Sequence, residues 1–156
     1  MIKLNNKFAI GCLVQWYEVE MIEEYLESVY QSLADIENKK NVVVDICFNL
    51  AQNLEEIDKE KMEIGDIFQR FLKMRRELSD RRINARVNFY PKSVEQATDK
   101  NIKPYTIADY RREFNEKYCD DVDVLMWGES DSLIPRQTFE ILDSLHTQVK
   151  DNNPKY

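Results

Sequence analysis

The sequence predicts an α/β domain with a mainly parallel sheet and helices on both of its faces. Two observations carry this. Short apolar runs of strand length alternate with segments whose apolar residues recur every three and four positions, which is the order that builds parallel sheets covered by helices. Only three glycines and four prolines occur among 156 residues, so most of the chain is regular structure.

The first strand is Phe8–Val14, "FAIGCLV". After it Val19, Ile22, Leu26, Val29 and Leu33 fall on one face of a helix of about four turns. The run "NVVVDICFNL" (Asn41–Leu50), rich in β-branched residues, is the second strand. Helical spacing returns between Leu54 and Leu78 at Ile57, Ile64, Ile67, Phe68, Phe71, Leu72 and Leu78, with Gly65 interrupting it. "ARVNFYP" (Ala85–Pro91) gives a third strand, and the polar stretch 92–104 is a loop or insertion.

Thr106 and Asp109 have the spacing of a capping box and open a helix. Its expected buried stripe is Ile107, Tyr110, Phe114 and Tyr118, with Arg111, Arg112 and Asn115 pointing elsewhere. Val122–Trp127 is the fourth strand. Pro135 suits the first turn of a last helix that ends near His146. Residues 1–150 thus form one domain, and 151–156 a polar tail.

The net charge of −7 opposes general binding to nucleic acid or to a membrane surface, since both are polyanions. Basic clusters in "KMRRELSDRR" and "YRREF" still allow a small phosphate ligand. No apolar run approaches the roughly 20 residues of a membrane span, and "MIKLNNKF" lacks the apolar centre of a signal peptide. Cys12, Cys47 and Cys119 are odd in number and far apart, and all three are expected to be reduced and structural, consistent with a cytoplasmic protein.

The chemistry concentrates at "WGESDSLIP", where the fourth strand delivers Glu129 and Asp131 one residue apart. Crowded carboxylates repel unless a cation or donor sits between them. In this fold class ligands bind beyond the carboxyl ends of the strands, where these two acids lie. They suit a divalent cation, Mn²⁺ or Mg²⁺, shared with substrate phosphates. The alternative is that both carboxylates cap the last helix. Trp16 and Trp127 are expected in the core or in a pocket wall, and His146 near a helix C-terminus.

Three stretches together resemble the nucleotide-binding half of a GT-A-type glycosyltransferase, similar to glycosyltransferase family 2. They are "FAIGCLVQWYEVEMIEEYLESVYQSL", "NVVVDICFN" and "YRREFNEKYCDDVDVLMWGESDSLIPRQTFEIL". The resemblance implies a GT-A, Rossmann-like fold and sugar transfer from a nucleotide-diphosphate donor, of which a UDP-linked sugar is one form. It places Asp131 as the principal metal ligand, with Glu129 nearer the ribose and diphosphate. Tyr17 and Glu18 would contact the base or ribose, and either Asp45 or Asn49 the base edge. Arg112 and Asn115 would face the diphosphate, unless they belong to a solvated helix face. The departures are a glutamate at the first acid of the motif and "FNLAQN" after the second strand. The family's acceptor site and catalytic base lie beyond the last helix seen here. A partner subunit or a further C-terminal region would supply them, and no general base is assigned. Two alternatives stand beside transfer: a non-catalytic nucleotide-binding or assembly module of the same fold, and a metal-dependent nucleotidyltransferase, although the chain has no Gly-rich phosphate loop of the P-loop kind.

Overall fold

The computed structural model describes residues 1–15, 18–49, 64–89 and 105–152, without the side chains of residues 64, 65 and 67. Tyr17, Trp16, Ile57 and the 92–104 stretch lie outside the described residues. The elements run β1 (Phe8–Gln15), α1 (Ile22–Leu33), β2 (Val42–Asn49), α2 (Ile64–Asp80), β3 (Asn84–Phe89), α3 (Ile107–Tyr118), β4 (Val124–Glu129) and α4 (Thr138–Asn152), with a 3₁₀ turn at Lys39–Asn41 ahead of β2. The sheet is entirely parallel, in the order β3-β2-β1-β4. The expected α/β architecture is therefore present.

Period-two alternation splits each strand between two cores. Phe8, Ile10, Cys12 and Val14 of β1, with Val42, Val44, Ile46 and Phe48 of β2, face α1, α2 and α4. Ala9 and Leu13 face α3 through Tyr110, Phe114 and Tyr118. On α1, Ile22, Tyr25, Leu26, Val29, Tyr30 and Leu33 are all buried. Their burial contributes on the order of 10 kcal/mol before the entropy of ordering is set against it. Phe139 of α4 meets Phe8 edge-on at 5.6 Å. The same helix is pinned to the N-terminal segment by the buried Asp143 carboxylate, which accepts the backbone N–H groups of Asn5 (3.0 Å) and Asn6 (2.8 Å).

Two glycines let helices lie directly on strand backbone. A Cβ on Gly11 would stand 2.7 Å from Phe114 and from the Tyr110 hydroxyl, and one on Gly128 would stand 2.3 Å from the hydroxyl of the fully buried Tyr25.

The capping box forms as expected, with Thr106 and Asp109 bonded reciprocally. Asp109 is held down to a pKa of about 2, first by the Thr106 backbone N–H, then by the Thr106 hydroxyl and Arg112. Other elements differ from expectation. Ile107 is exposed, because the first turn of α3 projects past the sheet end, and Tyr105 fills the core place instead. Phe68 and Leu72 of α2 are likewise exposed. Pro135 precedes α4 by three residues, its carbonyl accepting from the Thr138 N–H and hydroxyl. The helix runs to Asn152, well past His146, so residues 151 and 152 belong to it and His146 sits mid-helix. Cys12 is buried, Cys47 half-buried and Cys119 exposed, all three as free thiols.

Helix α2 ends in an unusual way. The Ile83 N–H bonds to the Leu78 carbonyl and the Arg82 N–H to that of Ser79, the paired bonds of a Schellman cap. The left-handed residue of that cap is normally glycine, but here it is Arg82, with φ of 57°.

Gly128→Ala should lower stability by about 1–3 kcal/mol through overpacking against Tyr25, read as a fall in the urea midpoint at unchanged slope. An unchanged midpoint would mean that Tyr25 moves aside freely.

Candidate functional site

The order β3-β2-β1-β4 means that the chain adds strands on one side of β1 and then switches to the other. Such a switch opens a crevice at the carboxyl ends of the two strands that flank it, here β1 and β4. Gln15 ends β1 and Glu129 ends β4, and Leu13 and Glu129 are register partners. A cavity of about 250 Å³ lies there, lined chiefly by Gln15, Glu18, Gly128, Glu129, Ser130 and Asp131.

The Ser132 N–H bonds to the Glu129 carbonyl at 3.0 Å, so Ser130 and Asp131 are the central residues of a tight turn. Helix α4 begins only at Thr138. Neither Glu129 nor Asp131 accepts a hydrogen bond from an N–H group of α4, so the helix-capping alternative does not describe this turn. Asp131 is exposed and makes no hydrogen bond or ion pair with a described residue. Ser130 is 4% exposed, and its buried hydroxyl has no hydrogen-bond partner. An unsatisfied buried hydroxyl costs about 1–3 kcal/mol, and this one, with no partner among the described residues, belongs to a residue that lines the cavity.

Glu129 is differently placed. Arg111 of α3 reaches it at 3.3 Å, and the same guanidinium lies 4.6 Å over the centre of the Trp127 ring. Trp127, half exposed on the outer strand of the sheet, donates its indole N–H to Asn115 at 3.2 Å. Asn115 thus supports the wall of β4. Arg112 pairs with Asp109 at 2.9 Å, in solvent and outside the cavity lining. The arginine that touches the motif is Arg111, one residue earlier than the resemblance suggested.

Glu18 accepts the Gln15 N–H at 3.1 Å beside the carboxyl end of β1. Tyr17 lies outside the described residues. Asn49 ends β2 at the same edge of the sheet, with its amide donating to Gln15 (3.0 Å) and to the Tyr105 carbonyl (3.2 Å). Asp45 is four residues, about 13 Å, below that edge. Asp45 is 6% exposed, and its carboxylate accepts the hydroxyls of Tyr110 (2.7 Å) and Tyr118 (2.6 Å), with Lys117 at 3.6 Å. Of the two candidates for the base edge, Asn49 is therefore at the carboxyl end of the sheet, and Asp45 anchors α3.

The three acids at the cavity act electrostatically on what lies beneath them. Burial raises the Cys12 thiol well above its ordinary pKa, and Glu18, Glu129 and Asp131 add to that shift. Cys47 is pushed up to about 12, again chiefly by burial, so neither thiol is poised as a nucleophile.

The donor set suits a hard divalent cation in chemistry, with carboxylate oxygens at a strand end. Among the described residues, however, no three acidic, histidine or cysteine side chains are grouped to hold an ion. A cation at this turn would have Asp131 as its free carboxylate, with Glu129 paired to Arg111, and would need the rest of its shell from a ligand and water. No protein-family model matches the chain, and comparisons with curated proteins and with solved structures find no match either.

The Asp45 cluster generates a prediction. Burial and the Asp45 carboxylate raise the pKa of Tyr110 and Tyr118 in the fold. A raised folded pKa gives stability that is complete below the unfolded value of about 10 and is lost as pH rises above it. Thermal stability should therefore fall above about pH 10 by more in the wild type than in a Tyr110→Phe/Tyr118→Phe variant. In addition, Asp45→Ala should cost about 3 kcal/mol near neutral pH in chemical denaturation.

Proposed function

We propose that the cavity at the β1–β4 switch point binds a nucleotide-diphosphate sugar through Mn²⁺ or Mg²⁺, and that the chain is the donor-binding domain of a glycosyltransferase. The observation that carries this reading is the turn after β4, where an unpaired Asp131 carboxylate adjoins a buried Ser130 hydroxyl without a partner. The two groups are complementary in function. Asp131 offers anionic oxygen to a cation, and Ser130 offers an O–H to a phosphate or ribose oxygen. When bound, the cation supplies positive charge against the diphosphate that departs in sugar transfer. Arg111 supports the same end of the reaction. Once Glu129 turns toward the cation, the freed guanidinium faces the diphosphate as a fork of donors. Gln15 and Asn49 fix the relative position of β1 and β2 at the edge where the nucleoside would lie.

A second reading, binding without transfer, is favoured by one observation. The carboxylates lining the cavity are Glu18, Glu129 and Asp131, the first bonded to the Gln15 N–H and the second to Arg111. None is left over as a general base once Asp131 holds the cation, so transfer requires a base from outside the described residues.

Calorimetric titration with UDP and with GDP, each with and without Mn²⁺, tests the binding claim. One diphosphate should bind only with the metal. Asp131→Ala should abolish that binding while changing stability by no more than about 0.5 kcal/mol, as for an exposed residue without partners. Ser130→Ala should leave the free protein as stable or more so, since it deletes an unsatisfied hydroxyl, and yet weaken the nucleotide about tenfold. Metal-independent binding, or binding indifferent to Asp131→Ala, would refute the reading. Release of sugar from a labelled donor separates transfer from mere binding.

A further inference from the structure

At the amino ends of β2 and β3 the charge is of the opposite sign, although the loop into β4 carries Asp120, Asp121 and Asp123. Two of the loops that lead into strands at their amino ends are the 3₁₀ turn Lys39–Asn41 ahead of β2 and the cap Arg81–Arg82 ahead of β3. The N-terminal segment is bound beside them. Ile2 bridges to Ile36, and the Asn38 amide both accepts from the Leu4 N–H (2.8 Å) and donates to the Leu4 carbonyl (2.9 Å). Lys3, between Ile2 and Leu4, is thereby held opposite Glu37 and in the same concavity as Lys39. The result is a concavity of about 450 Å³ lined by Lys3, Lys39, Lys40, Arg81 and Arg82, with Glu37 as its one acid.

Five basic residues against one acid in a single concavity run against the chain as a whole, in which 29 acidic side chains outnumber 22 basic ones. Lys3, Lys39, Lys40 and Arg82 make no ion pair with a described residue. Arg81 lies 3.8 Å from Glu27 and 4.0 Å over the centre of the Tyr30 ring. The dipole of α2 favours basic residues at its C-terminus and so accounts for Arg81 and Arg82 separately. It does not account for three lysines from two other segments converging on them. Nor does it account for an arginine in the left-handed cap position, where glycine relieves the strain and asparagine tolerates it better. Strain retained at a charged residue, inside a converging set of unpaired cations, marks a site rather than a solvated surface.

We propose that this concavity binds a soluble ligand bearing two or more adjacent phosphate groups, at a site separate from the β1–β4 cavity. Arginine forks and lysine ammonium groups together match clustered phosphate oxygens, and the volume exceeds what a single phosphate would fill. A small ligand enters the concavity without bringing its charge near the acidic remainder of the surface, which an extended anionic membrane could not avoid.

The test is calorimetric titration of the full chain with sodium tripolyphosphate in excess EDTA, so that metal-dependent binding at the other end of the sheet cannot contribute. The expected result is saturable binding at one site per chain that weakens with added salt. Arg82→Gly and Lys39→Ala/Lys40→Ala should each weaken it about tenfold, while Asp131→Ala leaves it unchanged. Glycine is the residue the cap prefers, so Arg82→Gly removes the charge from a chain at least as stable as wild type, and loss of binding cannot be ascribed to unfolding. Absence of saturable binding, or binding indifferent to both variants, would overturn the proposal. Flotation with phosphatidylcholine–phosphatidylglycerol vesicles without tripolyphosphate binding would overturn it too, and would assign the patch to a membrane surface. Because the titration excludes divalent cations, its failure and that of the nucleotide reading are independent.

Discussion

A buried carboxylate in the middle of a parallel strand is the constraint on which much of this structure depends. Asp45 stands on β2 with Gly11 and Arg86 as its register partners, and an ionised group there is costly unless its oxygens are bonded. Two tyrosine hydroxyls one helical span apart supply those bonds, and Lys117 adds charge. Tyr110 and Tyr118 lie eight residues apart, so satisfying one carboxylate fixes both the rotation of α3 and its height over the sheet. Gly11 completes the arrangement by letting the Phe114 and Tyr110 rings rest on the β1 backbone. Once α3 is set, Arg111 meets Glu129 and Asn115 meets Trp127 without further adjustment. The geometry of the acidic turn is thus governed by a group that lies two residues, about 7 Å along the strands, below Glu129 in the sheet register.

Parallel strands give the domain two chemically distinct ends. All carboxyl ends gather Gln15, Asn49, Glu129 and the Ser130–Asp131 turn. The amino ends of β2 and β3 gather the loops that bear Lys39, Lys40, Arg81 and Arg82, while the loop into β4 carries Asp120, Asp121 and Asp123. With strands of up to eight residues, the two ends are separated by roughly 25 Å, about three Debye lengths at physiological ionic strength. Attraction between the poles through solvent is therefore negligible, and neither neutralises the other. Each pole keeps its own field, acidic toward a cation and basic toward an anion.

Much of this was legible in the residues, and the failures have physical causes. Near-continuous apolar runs and helical spacing located the strands and helices, because burial on both sheet faces leaves few polar letters to confuse the reading. The capping box was legible because its bonds are local to four residues. What local pattern could not give was which of several polar residues faces inward. Asp45 and Asn49 share one face of β2, and only the depth of each along the strand separates an anchor from an edge residue. Arg111 and Arg112 are adjacent letters, yet helical rotation by about 100° sends one to the motif and the other to Asp109. Ile107 has the spacing of a core residue but lies beyond the end of the sheet that the stripe packs on. The Lys3–Lys39–Arg82 convergence was invisible, since it joins three segments through strand order alone.

The Glu129–Arg111 pair decides how the acidic turn would respond to a ligand. With side chains 52% and 30% exposed, it is worth less than about 1 kcal/mol in water, so it holds the two groups in place without holding them against competition. Trp127 contributes a second contact to the same guanidinium, one that does not depend on Glu129. On the proposed reading, a cation at Asp131 would recruit Glu129 at small cost, while the ring would retain Arg111 beside the site with its donors free. Such an exchange would turn a neutral pair into a separated acid and base, one for the metal and one for phosphate oxygens. Arg111→Lys would keep the charge and lose both the fork and the flat stacking surface, so the side chain's shape, and not its charge alone, is what this corner of the molecule requires.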